Sequence, residues 1–347
     1  MVKSSVRNQI MADNPLTSPT NIFDPALQTE KIAFDSEQLV ICDGCGRANP
    51  PNRFNCIYCA RELANIAETD TNAKLVLRKL ELWEKGFNVI FRSHRNADLK
   101  KAAELLSADA EFIQTTIDAG TPLPLARVES EKEALYLISA LAQCGLDCGL
   151  VADEDLRVSH LPTRIRRIDL DGQRIGLTNF NTSSVTTADL SQLAVAVLGR
   201  LISGRRDMTE KRGRKGKVKL LDETETSSDE LVLDLYLGGE PDGYRINQAG
   251  FDFSCLGEEK GLLAAENMLR LMRKLRNVAP ELTVSDDYTD IRGMLDRVWE
   301  QESRKDPQGL KRTGHKVEFG SVASSNNLDQ FTRYSRLQRY LYETSTS

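Results

Sequence analysis

Four cysteines in two close pairs constrain this chain more than any other feature. They are Cys42-Asp43-Gly44-Cys45 and, ten residues on, Cys56-Ile57-Tyr58-Cys59. Two Cys-x2-Cys turns at this distance bring four thiolates to the corners of a tetrahedron around one metal ion. A segment of this size, about 38–64, cannot bury enough apolar surface to fold alone, so metal binding is expected to supply most of its folding free energy. With Cys42, Cys45, Cys56 and Cys59 all ligating, no position is left open for water. A single structural Zn2+ is therefore expected rather than a catalytic one, and ligand type alone does not separate zinc from iron. Asn49 is expected to be a turn residue whose side chain satisfies backbone groups.

The residues around these cysteines resemble two families. The run Cys-x2-Cys-Gly-x-x-Asn-Pro, Cys42 to Pro50, is similar to the short zinc ribbon of bacterial proteins. The spacing from Cys45 to Asn49 and on to Cys56 resembles the Ran-binding-protein-type zinc finger, over about 40–63. That second resemblance implies binding of single-stranded RNA or of ubiquitin. The RNA readers stack bases on a tryptophan before the first cysteine, where this chain has Val40. The ubiquitin readers carry Thr-Phe after the second cysteine, where this chain has Gly46-Arg47. Neither signature is present, although Arg47, Arg53, Phe54 and Tyr58 remain to form a small binding surface.

The chain has 347 residues, which argues for two or three domains. Its net charge of −5 gives no global bias toward nucleic acid. No apolar run of about 18 residues is present, so no membrane-spanning helix is expected. Without a secretory signal, paired Cys-x2-Cys reads as a metal site in a reducing, cytoplasmic compartment. Residues 1–37, rich in Ser, Thr, Asn, Asp and Pro, read as a disordered leader.

The expected fold class is multidomain α+β. After the ribbon, 72–160 reads as a helical and strand–helix–strand domain. Leu75, Leu77, Leu80, Leu82 and Trp83 recur near a helical period. Val89 to Phe91 is either a strand or part of a helix, and one further helix runs from Ala102 through Ile113 to Gly120. Leu123–Val128 is a strand. Ser130 caps a helix with Glu133 at the capping-box position, and Leu146–Val151 returns as a strand. Cys144 and Cys148 are expected to be small buried apolar residues.

Residues 163–278 read as β-rich. Arg164–Leu170 and Arg174–Asn179 flank an Asp171-Gly172 turn. Leu193–Ile202, Leu231–Leu237 and Gly243–Asn247 follow, with Phe251-Asp252-Phe253 extending the sheet and a closing helix from Glu258 to Asn277. This order of elements over 165–278 resembles a bacterial pleckstrin-homology-like domain. The remainder, 279–347, reads as a tail: a short helix at Asp290–Trp299, a polar turn-rich stretch at 301–327, and a last helix at Gln330–Tyr342. That helix is expected to dock Phe331, Tyr334 and Leu337, with Arg333, Arg336 and Arg339 on its other sides.

A charge block forms a loop in this reading. Arg205, Arg206, Lys211, Arg212, Arg214, Lys215, Lys217 and Lys219 precede Asp222, Glu223, Glu225, Asp229 and Glu230. It is either a phosphate-contacting patch or a solvated hairpin whose arms neutralise each other. No catalytic motif is present. His94, His160 and His315 are isolated, and Asp286-Asp287 and Asp153-Glu154-Asp155 fit turns or helix starts. The expectation is a non-enzymatic interaction or regulatory adaptor with a protein partner. The alternative is a nucleic-acid-associated protein using the ribbon and the basic 205–219 segment.

Overall fold

The computed structural model describes residues 39–50, 53–63, 77–212, 218–313 and 316–346. The leader expected over 1–37 lies outside them. The chain divides into two units, Met1–Thr69 and Asp70–Ser347.

In the first unit, β1 (Val40–Ile41) pairs antiparallel with β2 (Ala48–Asn49). The Cys56 turn lies between Phe54 and Leu63, both buried, and the Leu63 amide donates to the Phe54 carbonyl at 2.8 Å.

The second unit begins differently from the expected helix. Among the described residues, Leu77–Gly86 is irregular. Its carbonyls are satisfied by remote arginines in place of helical amides. Arg127 donates to Glu81 (3.2 Å) and to Glu84, and Arg333 donates to Leu82 (3.3 Å). Then β3 (Phe87–His94) is a strand and the centre of a three-stranded sheet. The single helix expected from Ala102 to Gly120 is two, α1 (Leu99–Leu105) and α2 (Ala110–Asp118). Ser107 between them takes a positive φ of 48°, and Ala108 returns a hydrogen bond to Ala103, ending the first helix.

Strand β4 (Leu123–Val128), helix α3 (Glu131–Gln143) and strand β5 (Leu146–Ala152) match the expected strand–helix–strand unit. The Ser130 side chain accepts from the Glu133 amide at 3.3 Å. The two strands do not pair with each other, because β3 lies between them, antiparallel to both. Cys144 and Cys148 are buried, and burial pushes the Cys148 thiol up to about 12.

The second sheet contains β6 (Thr163–Asp171), β7 (Arg174–Asn179), β8 (Val185–Asp189), β9 (Leu193–Arg212), β10 (Val218–Leu237) and β11 (Tyr244–Asn247). Helix α4 (Ala264–Val278) follows, then β12 (Thr283–Ser285) and α5 (Tyr288–Leu295). Strands β13 (Glu302–Thr313) and β14 (Lys316–Asn326) precede α6 (Leu328–Thr346). The order across the sheet is β13-β14-β9-β10-β11-β6-β7-β8, with β12 pairing β9.

Three expectations are corrected here. Phe253–Glu259 is a run of 3-10 turns, and Phe251 to Phe253 adds only a single bridge, Arg167 to Asp252. The stretch 301–327 is a hairpin. The residues divided by sequence at about 162 and 279 form one compact unit, because 163–278 does not close on itself. β10 shows why. Leu231, Leu233, Leu235 and Leu237 pack in one core with α4, while Val232 and Tyr236 pack in a second core with α5 and α6. Successive strand residues point to opposite faces, so this run needs cover on both sides. The second cover comes from the expected tail. The fold is mixed α/β with a sheet-rich body and a C-terminal helix.

Candidate metal centre

The four cysteine sulfurs converge, all lying within 4.8 Å of one another. Two turns of the same design bring them together. In the first, the Gly46 amide donates to the Cys42 carbonyl (2.8 Å), the Cys42 amide to Arg47 (3.0 Å), and the Gly44 amide to the Cys42 sulfur (3.3 Å). In the second, Ala60 donates to Cys56 (2.9 Å), Cys56 to Arg61 (2.8 Å), and the Tyr58 amide to the Cys56 sulfur (3.4 Å). Each turn closes on a residue with positive φ: Gly46 at 68° and Ala60 at 58°. Alanine bears that conformation at a steric cost that glycine avoids.

Asn49 joins the two turns and is fully buried. Its amide donates to the Arg47 carbonyl at 2.9 Å, and its side-chain oxygen accepts from the Ile57 amide at 2.9 Å. It therefore satisfies backbone groups, as expected, but across both turns rather than one.

The sulfur of Cys42 lies 3.6 Å from that of Cys59, and Cys45 lies 3.6 Å from Cys56. A tetrahedral zinc with 2.3 Å bonds requires sulfurs about 3.8 Å apart, so the donor set fits the ion. Amide N–H groups aimed at sulfur favour thiolate. At Cys56, burial opposes ionisation. The backbone hydrogen bonds of Tyr58 and Cys59 and those of Cys45 and Asn49 outweigh it, and the thiol falls to about 6. At Cys45 the Arg47 backbone bond favours thiolate, but desolvation and the neighbouring sulfurs prevail and raise it to about 11. The cluster can hold one metal ion. Outward from it, Ile41, Ile57 and Tyr58 are exposed, and the Arg47 guanidinium stacks 4.7 Å from the Tyr58 ring centre.

The other candidates separate. His94 and His160 lie apart, and His315 lies outside the described residues. Asp287 precedes α5, where it accepts from Ser285 at 3.0 Å and from Tyr334. Asp153 is the residue that sequence reasoning undervalued. It is buried and accepts from Gly86 (3.0 Å), Asn88 (2.8 Å), Arg127 (2.6 Å) and Arg333 (2.8 Å). Nearby, a cleft of about 540 Å³ includes Trp83, Trp299, Arg127, Arg304 and Arg333 in its lining. Of the arginines named, Arg127 and Arg333 are held by the buried Asp153, and Arg304 pairs with Asp306 at the surface (2.8 Å).

The charge block is not a loop as expected but ladder. Among the described residues, Arg200 pairs with Asp229 (3.0 Å), Arg205 with Asp207 (3.1 Å) and Arg206 with Glu225 (3.0 Å). Residues 213–217 lie outside the description. No helix among the described residues is long and apolar enough to cross a membrane. Comparison with protein-family models, curated proteins and solved structures yields no match to any of them.

Proposed function

We propose that this chain is a non-enzymatic interaction adaptor whose Cys42, Cys45, Cys56 and Cys59 hold one structural zinc ion. The convergence of four sulfurs, with backbone N–H groups aimed at Cys42 and Cys56, carries the reading. Four protein thiolates fill a tetrahedral shell, so the ion shapes a surface rather than activating water. That surface presents Ile41, Ile57, Tyr58 and Arg47 on a scaffold too small to hold them rigidly without the metal. Aromatic and arginine side chains of this kind serve as anchors in protein interfaces. A reducing, cytoplasmic setting keeps the thiolates free for the ion.

The test is elemental analysis of protein purified without chelator, paired with capture of partners before and after nuclease treatment. One zinc per chain, with captured proteins that survive nuclease and are lost in Tyr58→Ala, supports the reading. Iron, or no metal, removes its zinc. Capture that is indifferent to Tyr58 removes the assignment of the surface.

A further inference from the structure

The three-stranded sheet has two edges, and they differ. β4 is closed as an edge: Pro124 carries no N–H, and all six residues of the strand are buried. β5 is open. Among the described residues nothing pairs with its outer side. It contains neither proline nor lysine, the residues that commonly turn a neighbouring strand away. At its far end the Asp155 side chain accepts from the Ala152 amide (3.3 Å). Helix α3 packs on this strand. From Ala134 to Gln143 the helix has no charged residue, and Leu135 and Tyr136 are 52% and 42% exposed. The outward face of a helix bathed only by water ordinarily carries charge.

Two opposite charges stand at the open edge. Arg92, on β3, is exposed, and its guanidinium occupies the space that a Cβ at Gly149 would take. The missing side chain of Gly149 thus lets Arg92 reach across β5. Asp147 is also exposed and accepts from the Ser93 hydroxyl at 3.3 Å. Residues 147 and 149 lie on the same face of the strand. Arg92 and Asp147 therefore share one face of the edge, yet neither belongs to an ion pair among the described residues.

We infer that β5 pairs antiparallel with β5 of a second copy of this chain, about a two-fold axis at Gly149, and that the α3 helices of the two copies flank that junction. The charges favour a second copy as the occupant. Gly149 is the middle residue of Leu146–Ala152, so pairing about it uses the whole strand. Asp147 then stands opposite the partner's Val151 and never opposite the partner's Asp147. In an antiparallel pair, residues two positions off are diagonal neighbours within reach of a long side chain. Arg92, lying over Gly149, thereby meets the partner's Asp147. The two-fold axis makes this contact twice and draws the two guanidinium groups away from each other in opposite directions. Farther along the edge, Lys85 and Glu154 neutralise each other (2.8 Å). The pairing satisfies the outer backbone groups of β5 and covers uncharged surface of α3. It is independent of the metal centre and of the adaptor reading.

The experiment is sedimentation velocity of the full chain in reducing buffer across a range of concentrations. The variants are Arg92→Glu, Asp147→Lys and Leu135→Glu, with Leu262→Glu, an exposed leucine outside this face, as the control. Thermal melts confirm that each variant folds. The parent is expected to dimerise reversibly. Arg92→Glu alone and Asp147→Lys alone each place like charges on both diagonals and should weaken the dimer on the order of tenfold or more. An equimolar mixture of these two variants should dimerise again, because in the mixed dimer both diagonals join opposite charges. Leu135→Glu should weaken the dimer, and Leu262→Glu should leave it unchanged. A parent that stays monomeric at every concentration overturns the inference. So does a dimer that withstands both charge reversals, or a mixture that remains as monomeric as its components. A dimer lost in Leu262→Glu and kept in Leu135→Glu places the contact on another face and overturns it as well.

Discussion

Arg333 of α6 donates to Asp153, just beyond β5, at 2.8 Å, and both side chains are almost wholly buried. They lie 180 residues apart, one in a segment that reads as a tail and one in a segment that reads as a turn. The same carboxylate receives Arg127, while Asn88 donates to it and accepts from the Trp299 indole at 2.8 Å. A single buried hub thus ties the three-stranded sheet to the C-terminal helix.

Without Arg333, Asp153 keeps Arg127, so the variant loses one of two charge-assisted contacts rather than stranding the carboxylate. Arg333→Ala is expected to cost about 1.5–3 kcal/mol, read as a lower denaturant midpoint with an unchanged slope. A loss of only a few tenths would show that Asp153 is adequately held by Arg127 alone.

Phe331 lies against the backbone of β9 at Gly199, where an added Cβ would sit 2.2 Å from the ring. Gly199→Ala is expected to cost about 1–3 kcal/mol through overpacking. The accompanying loss of near-ultraviolet circular dichroism would report the displaced aromatic cluster of Phe331, Tyr288 and Tyr334. An alanine variant as stable as the parent would contradict this packing.

Asn49→Ala deprives the Ile57 amide and the Arg47 carbonyl of their side-chain partner. The expected cost is about 1–3 kcal/mol, confined to the metal module. It would be observed as faster transfer of zinc to a chromophoric chelator, with an unaltered melt of Asp70–Ser347. Equal transfer rates would mean that the two cysteine turns do not depend on their shared asparagine.

The thiols make zinc affinity pH-dependent in a defined direction. The folded pKa of Cys56, about 6, lies below the ordinary thiol value of 9.0. Its contribution to the folded module is complete above the ordinary value and is lost as pH falls through about 6. Cys45, raised to about 11, must release its proton to bind metal at neutral pH, whereas Cys56 has already done so. Zinc affinity should therefore fall as pH falls from about 8 to about 6, read by competition with a chromophoric chelator at each pH. Equal affinity at both would contradict ligation by four thiolates.

Chelation should abolish amide protection across 39–50 and 53–63 and leave that of α6 and β10 intact, since the two units are separate. Simultaneous loss of both would show that the body depends on the metal.

Local chemistry was legible in the sequence wherever a few neighbouring residues decide the outcome. Cys42, Cys45, Cys56 and Cys59 announce their cluster through spacing. Ser130 with Glu133 marks the start of α3, and Asp171-Gly172 marks the β6–β7 turn. What only the tertiary structure decided is which partners complete these elements. Leu77–Gly86 has helical spacing, yet Arg127 and Arg333 capture its carbonyls. The strands at 302–313 and 316–326 show no strand signal of their own, because β14 is placed by pairing with β9, about a hundred residues earlier in the chain. Arg333, Arg336 and Arg339 read as lying on the sides of the helix away from Phe331, Tyr334 and Leu337, but Asp153 and the carbonyls of Leu82, His160 and Pro241 make their burial favourable. Spacing encodes what a residue's neighbours in the chain will satisfy. A buried charge or an unpaired carbonyl is satisfied by a residue a hundred or more positions away, and only the folded chain brings that residue within reach.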